Sequence, residues 1–307
     1  MRAPSRRLAS FVLASLGAAA ASLSAQAAAP FTPTRFTVVT EGPTPGKAPD
    51  VLLIPGLASS REVFAAEARL LSPSFRLHLV QLSGFAGQPA GPNANGPIFP
   101  GVVDELHQYI AANHLQHPAV IGHSMGGLLA LMLAQAHPED VSKLLIVDAL
   151  PFYGLVFNPN ATVEAVRQQG QAMHDGMLAA SPEEFAASQP PFIARMVHSP
   201  DGLKAVSAAS LASDRTVFAN AMLEDLTTDL RPGVASVKAP TTVLYSCDPS
   251  QGSAADVEAL YRSAYAGMPD VHFTRIDNSL HFIMYDQPAA FHNAVLTFLQ
   301  PKPQPQR

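Results

Sequence analysis

Pro118-Ala119-Val120-Ile121-Gly122-His123-Ser124-Met125-Gly126-Gly127-Leu128-Leu129-Ala130 is the stretch that decides the fold of this 307-residue chain. A short apolar run, strand-like over Pro118 to Gly122, meets a glycine-serine-glycine cluster and passes at once into small and aliphatic residues at helical spacing, Met125 to His137. In order, this is strand, sharp turn, helix. Gly122-His123-Ser124-Met125-Gly126 matches the pattern G-x-S-x-G. The spacing has a steric reason: a nucleophile on so tight a turn has strained backbone angles, and glycines two residues to either side let strand and helix pass closely. Ser124 is thereby pushed out to where a substrate can reach it.

The same alternation extends in both directions. Upstream, Phe36 to Thr40 and Arg76 to Leu82 have strand character, and Asp50-Val51-Leu52-Leu53-Ile54 is a continuous apolar run closed by Pro55-Gly56, as in a strand buried on both faces. Arg61 to Leu71 and Phe99 to His114 carry apolar residues at helical spacing, and Ser83 to Pro97, rich in Gly and Pro, is a surface loop. Downstream, Val141 to Val147, Thr241 to Ser246 and Val271 to Ile276 are strands, and Pro288 to Leu299 is a closing helix. Strands separated by helices predict an α/β fold with a doubly wound, mostly parallel sheet, because parallel neighbours need crossovers on the sheet faces. Between about residues 150 and 234 the alternation stops and the sequence becomes helical and proline-punctuated, which predicts an inserted helical cap.

A serine at its free pKa is a poor nucleophile and needs a base, itself oriented by a third group. On a strand-turn-helix nucleophile of this kind the acid and then the histidine follow the serine in the chain. His272 falls within a strand and His292 within the last helix, whereas His281 lies in the loop after the strand ending at Ile276, so His281 is the expected general base. Phe282-Ile283-Met284 beside it would hold the ring in a partly buried site. For the acid, Asp248 directly follows the strand Thr241 to Ser246, with Pro249 fixing the turn, and is the first candidate. Asp148, at the end of the strand before the cap, occupies the other place from which a carboxylate could reach the histidine. Asp256, expected on a helix, ranks third.

Through Ile54-Pro55-Gly56-Leu57, Gly84-Phe85-Ala86-Gly87, Gly122 to Gly126, Asp248 and His281, the sequence resembles the α/β-hydrolase superfamily from Phe36 to about Leu299, the cap excepted. The resemblance implies that Leu57 and Met125 lend backbone N–H groups to an oxyanion hole. Many relatives carry His-Gly where this chain has Pro55-Gly56; proline is tolerated there. It also implies a serine hydrolase acting on an ester-like carbonyl through an acyl-enzyme. A peptidase, a lactonase, a hydrolase of carbon–carbon bonds, or a non-catalytic small-molecule binder would use the same framework. Phe152, Tyr153, Phe157, Phe185, Phe192 and Met196 could wall an apolar pocket, or equally form the core of the cap.

Composition narrows the rest. With 48% hydrophobic and 14% charged residues the chain can bury a large core, and a net charge of −5 without a basic run argues against a nucleic-acid partner. Arg2, Arg6 and Arg7, the apolar stretch Leu8 to Leu23, and small residues at Ala25 and Ala27 read as a signal peptide over residues 1–27, leaving residues 28–307 as an exported, periplasmic or secreted protein without a stable membrane span. Cys247 is the lone cysteine, so no intramolecular disulfide can form. His107, His114 and His117 lack the spacing of a metal motif, and the glycine-rich loop lacks a nucleotide fingerprint; a small-molecule substrate with no metal and no cofactor is expected.

Overall fold

The computed structural model describes residues 31–300. The signal-peptide reading of residues 1–27 lies outside the described residues. Seven strands form one sheet in the order β1-β3-β2-β4-β5-β6-β7: β1 (Phe36–Glu41), β2 (Asp50–Ile54), β3 (Arg76–Leu82), β4 (Ala119–His123), β5 (Lys143–Val147), β6 (Thr241–Cys247) and β7 (Val271–Asp277). Only β1, at the edge, is antiparallel; every other pairing is parallel. The sheet is therefore the doubly wound, mostly parallel one that the alternation predicts.

The apolar runs are buried on both faces, as their lack of polar alternation requires. Along β2, Leu52 and Ile54 enter one hydrophobic cluster while Val51 and Leu53 enter the other. Along β5 the same division separates Leu144 and Ile146 from Leu145 and Val147. Helices α2 (Phe99–Ala112) and α3 (Met125–Ala136) cover the first face, with α8 (Ala254–Ala264) contributing Tyr261 and Ala264. Helices α1 (Ala65–Leu71) and α10 (Pro288–Leu299), joined by the short α9 (Ile283–Asp286), cover the second. Arg61 to Phe64, predicted as the start of a helix, is a 3-10 turn capped by Ser60 before α1 begins.

Between β5 and β6 the chain is helical: a 3-10 turn (Tyr153–Val156), then α4 (Val163–Ala179), α5 (Pro182–Ile193), α6 (Pro200–Leu211) and α7 (Arg215–Thr227). Serine, threonine or aspartate side chains at positions 162, 181, 199 and 214 cap the four helices, each accepting from a first-turn N–H. Pro190 and Pro191, which punctuate the sequence, sit inside the last turns of α5 rather than ending it ahead of them. The two ends of the segment are drawn together where Leu230 N–H donates to Pro151 O at 2.8 Å. The segment docks on loops at the carboxyl ends of the strands. Asp214 N–H donates to Gly84 O at 2.7 Å, Phe282 N–H to Met196 O at 3.0 Å, and the N–H groups of Ile98 and Phe99 to Glu224 at 2.6 and 2.8 Å. Gly84 has φ +89° and lies against Val217, whose Cγ atoms would stand 2.7 Å from an added Cβ, so a side chain there would lift α7.

Candidate active site

Ser124 stands between β4 and α3 with φ 55° and ψ −128°, a backbone conformation that a side chain strains to adopt. The surroundings hold it there. Ser124 N–H donates to Val147 O at 2.9 Å, tying the turn to the end of β5, and Ser124 O accepts from Gly127 N–H at 2.7 Å. A Cβ on Gly122 would lie 2.2 Å from Gly126 O, and one on Gly126 would lie 2.2 Å from Ile54 O. These are the close passages of strand and helix that the spacing of the motif calls for. Ser124 itself is half-buried, open to solvent on one side.

His281, in the loop after β7, is also half-buried, packed between His123 and Phe282 with ring centroids 4.6 and 5.3 Å away. Its Nδ1 lies 2.7 Å from Asp148 Oδ2. The other oxygen, Oδ1, accepts from Ser246 N–H at 2.8 Å and from Tyr261 O–H at 3.0 Å. Burial alone would push the Asp148 carboxyl up, but these three donors together hold it below the usual carboxylate value. An ionised acceptor on one side obliges His281 Nδ1 to carry the proton, which leaves Nε2 as the bare, basic nitrogen.

The acid position thus corrects the expectation from sequence, which placed Asp248 first and Asp148 second. Asp248 does not meet His281. Its Oδ1 accepts from Ser250 N–H at 2.9 Å and Ser250 O–H at 2.5 Å, and its Oδ2 from His198 Nε2 at 2.8 Å. The Ser250 bonds first, and then His198, hold its carboxyl down to about 2. Strand register explains the outcome. Val147 pairs with Leu244, so β5 ends where β6 still has three residues to run, through Cys247. Asp248 is carried about 10 Å further along the strand direction than Asp148. Asp256, the third candidate, accepts from Ser253 O–H at 2.6 Å at the start of α8.

Met125, expected to lend an oxyanion-hole N–H, is the first residue of α3, so its amide has no partner within the helix. Leu57, the other expected donor, follows Gly56, where an added Cβ would stand 3.0 Å from Ser124 Cβ. The Gly56-Leu57 loop therefore leans directly on the serine. Ser59 pins it, donating from N–H to Gly56 O and from O–H to Leu57 O, both at 3.3 Å.

Three residues near the site went unread in the sequence. His123, fully buried within the motif, has Nε2 3.0 Å from His281 O. Burial, and next the neighbouring His281, pull its pKa down to about 3, so the ring is neutral, donates from Nε2, and fixes the base loop to the nucleophile turn. Tyr261, on α8, supplies a donor to Asp148. Asp225 shares the buried stripe of α7 with Phe218, Ala221 and Met222, and a carboxylate at i, i+3, i+4, i+7 spacing among apolar residues is a signal that periodicity can reveal. Of the aromatic residues expected in the cap, Phe152 and Phe185 are buried in its core, while Phe157 and Phe192 are about half exposed at 50% and 46%.

Among the described residues, His107, His137 and Glu139 bring possible metal-ligating atoms within 4.8 Å of one another. They lie at the far end of α3 from Ser124, about 18 Å of helix away, so they take no part in this centre. No helix among the described residues is long and apolar enough to cross a membrane.

Comparison with known proteins bears on the same residues. The alpha/beta hydrolase fold family matches residues 49–288. A putative carbamate hydrolase RutD of Cronobacter turicensis is 29% identical over 155 residues, covering 50% of this chain and 54% of that protein. A pimeloyl-[acyl-carrier protein] methyl ester esterase of Chromobacterium violaceum is 34% identical over 148 residues, 48% of this chain and 55% of that protein. The chain thus spans about half the length of these curated relatives. A hydrolase from Pseudomonas aeruginosa superposes with a TM-score of 0.69 at 20% identity, over 87% of this chain and 94% of its own, a likeness of fold.

Proposed function

Since this chain belongs to the alpha/beta hydrolase fold family, we propose that it hydrolyses an ester-like carbonyl through a covalent acyl-enzyme on Ser124. The observation that carries this reading is the 2.7 Å contact between His281 Nδ1 and Asp148, together with a serine held at a strained turn. His281 Nε2 takes the Ser124 proton as Oγ attacks the carbonyl carbon, and the Leu57 and Met125 N–H groups receive the oxyanion. Collapse expels the alcohol, which takes the proton back from His281. Water then repeats the sequence on the acyl-enzyme and releases the acid. Asp148 keeps the imidazole in the useful tautomer and balances its charge when it is protonated.

An alcohol leaving group suits the relative named for a methyl ester, and the relative named for a carbamate also acts on an acyl carbon that bears a heteroatom. Export through the amino-terminal segment belongs to the same proposal and is read by fractionating the host cell and sequencing the amino terminus of the recovered protein. The hydrolytic reading is tested by steady-state turnover of a chain-length series of p-nitrophenyl esters, with Ser124→Ala alongside, and by labelling with an active-site phosphonate. Serine-dependent turnover with an optimum length, and one label per chain on Ser124, are expected. Full turnover in Ser124→Ala would refute the mechanism.

A further inference from the structure

Asp225 is a carboxylate to which the hydrolytic sequence gives no task. It keeps 8% of its surface, on the core-facing side of α7, yet no hydrogen bond or ion pair reaches its carboxyl group among the described residues. Its oxygens are not sealed among apolar atoms either. The unpartnered side-chain atoms wholly cut off from solvent among the described residues are His123 Nδ1 and Ser207 Oγ. The carboxyl oxygens therefore keep some contact with solvent.

Asp225 lies near the reacting groups, because α7 packs against the 3-10 turn that begins at Tyr153, five residues after Asp148. The charges of Asp225 and His281 act on one another, and Asp225 acts as well on the phenol of Tyr153, at the start of the 3-10 turn that follows β5. Among the described residues the Tyr153 hydroxyl also lacks a hydrogen-bond partner; burial, then Asp225, then Asp148, push it up to about 12, so it remains a neutral donor and acceptor. Two polar groups from separate elements of the helical segment thus stand unsatisfied beside the triad. Asp148 and Asp225, which both act on His281, are acidic, and the cation that follows α7, Arg231, is engaged by Asp229 at 2.6 Å. A buried carboxylate without a donor is unfavourable by itself, and a ligand that brings a donor, above all a cationic one, relieves that cost on binding.

We propose that Asp225, assisted by the Tyr153 hydroxyl, is a substrate-recognition site for an ammonium substituent, so that the substrates of this enzyme are amino-substituted esters rather than purely aliphatic or acidic ones. The substrate class rests on the hydrolytic reading above; the ammonium site does not.

The test separates the two. Calorimetric titration of Ser124→Ala with butylammonium at pH 8, with n-butanol as the neutral control, requires no turnover. Saturable binding of the cation is expected, at least about tenfold tighter than butanol and lost in Ser124→Ala/Asp225→Leu and Ser124→Ala/Asp225→Asn. No binding, or equal binding in the doubly substituted proteins, overturns the proposal. For substrates, kcat/KM is compared between methyl ω-(dimethylamino)alkanoates or dimethylaminoalkyl butyrates of two to five spacer carbons and their aliphatic counterparts. The wild type should prefer one amino ester by at least about tenfold, and Asp225→Leu should abolish that ratio. Serine-dependent hydrolysis without an amino preference refutes the role of Asp225 and leaves the hydrolase reading intact. Asp225-dependent ammonium binding with no ester turnover does the reverse.

Discussion

Asp225→Asn should stabilise the protein at neutral pH while doing little for it in acid, and the size of that difference follows from burial. Desolvation pushes the Asp225 carboxyl from its usual 3.8 up to about 7, opposed only weakly by His281. Between those two values the folded protein holds a proton that the unfolded chain has already released. Stability therefore falls as pH rises through this window, and the loss is complete above about 7. The window covers about three decades of proton concentration at about 1.4 kcal/mol each, a loss of about 4 kcal/mol. Asparagine cannot titrate, and the contributions of all other groups cancel when the two proteins are compared at each pH. Urea unfolding at pH 4, 5, 6, 7 and 8 measures the gap. It should shift in favour of Asp225→Asn by about 4 kcal/mol from the acid end to the alkaline end, with most of the change complete by pH 7. A gap that stays flat, or that shifts toward the wild type, would show that Asp225 is ionised in the folded protein throughout and has a partner there.

Other substitutions discriminate between nearby groups. Asp148→Asn should lower kcat by about 10⁴-fold with little change in KM, whereas Asp248→Asn should leave turnover of a p-nitrophenyl ester unchanged; the opposite ranking would restore Asp248 as the acid. Tyr261→Phe removes a donor from a buried charged acceptor and should cost about 2 kcal/mol in urea unfolding, a figure that an unchanged midpoint would contradict. Gly126→Ala places a methyl group 2.2 Å from Ile54 O. Backbone cannot give way by that much, so the variant should unfold at least about 4 kcal/mol more easily or fail to accumulate as soluble protein; native-like melting would refute the steric account of the motif.

The sheet was legible because its central strands are buried on both faces: runs such as Asp50 to Ile54 leave no amphipathic ambiguity, and Gly122 to Gly126 fixes where strand becomes helix. The candidate nucleophile Ser124 and candidate base His281 stand out in the sequence for a local reason, since each sits on a turn that follows a strand. The acid was not. Asp148 and Asp248 both follow a strand, and what separates them is that β6 continues three residues beyond the point where β5 stops, a fact of register between strands about a hundred residues apart. His123 was hidden as the variable residue of a motif, and its bond to His281 O spans 158 positions. Asp225 was visible as a misfit on an apolar stripe, but periodicity alone says nothing of what that stripe faces.

The junction between sheet and helical segment carries a consequence of its own. Asp148 is the last residue on the sheet side of the neck closed by Leu230 and Pro151, and the joint is fastened from the sheet side. Ser246 and Tyr261 hold its carboxylate, Leu244 O holds its N–H at 2.7 Å, and the Tyr265 hydroxyl grips Ala149 O at 2.8 Å. Ser246 and Leu244 belong to β6, and the two tyrosines to α8 and its C-terminal cap. None of these anchors lies in the helical segment. The segment can consequently be lengthened, repacked or exchanged wholesale without retuning the acid, while Asp225 and Tyr153 travel with it. The histidine loop is different, since Phe282 N–H is held by Met196 O of the segment, so a graft cut between residues 151 and 230 would leave the Asp148 side of the site in place but would have to reproduce that bond to keep His281 where it is.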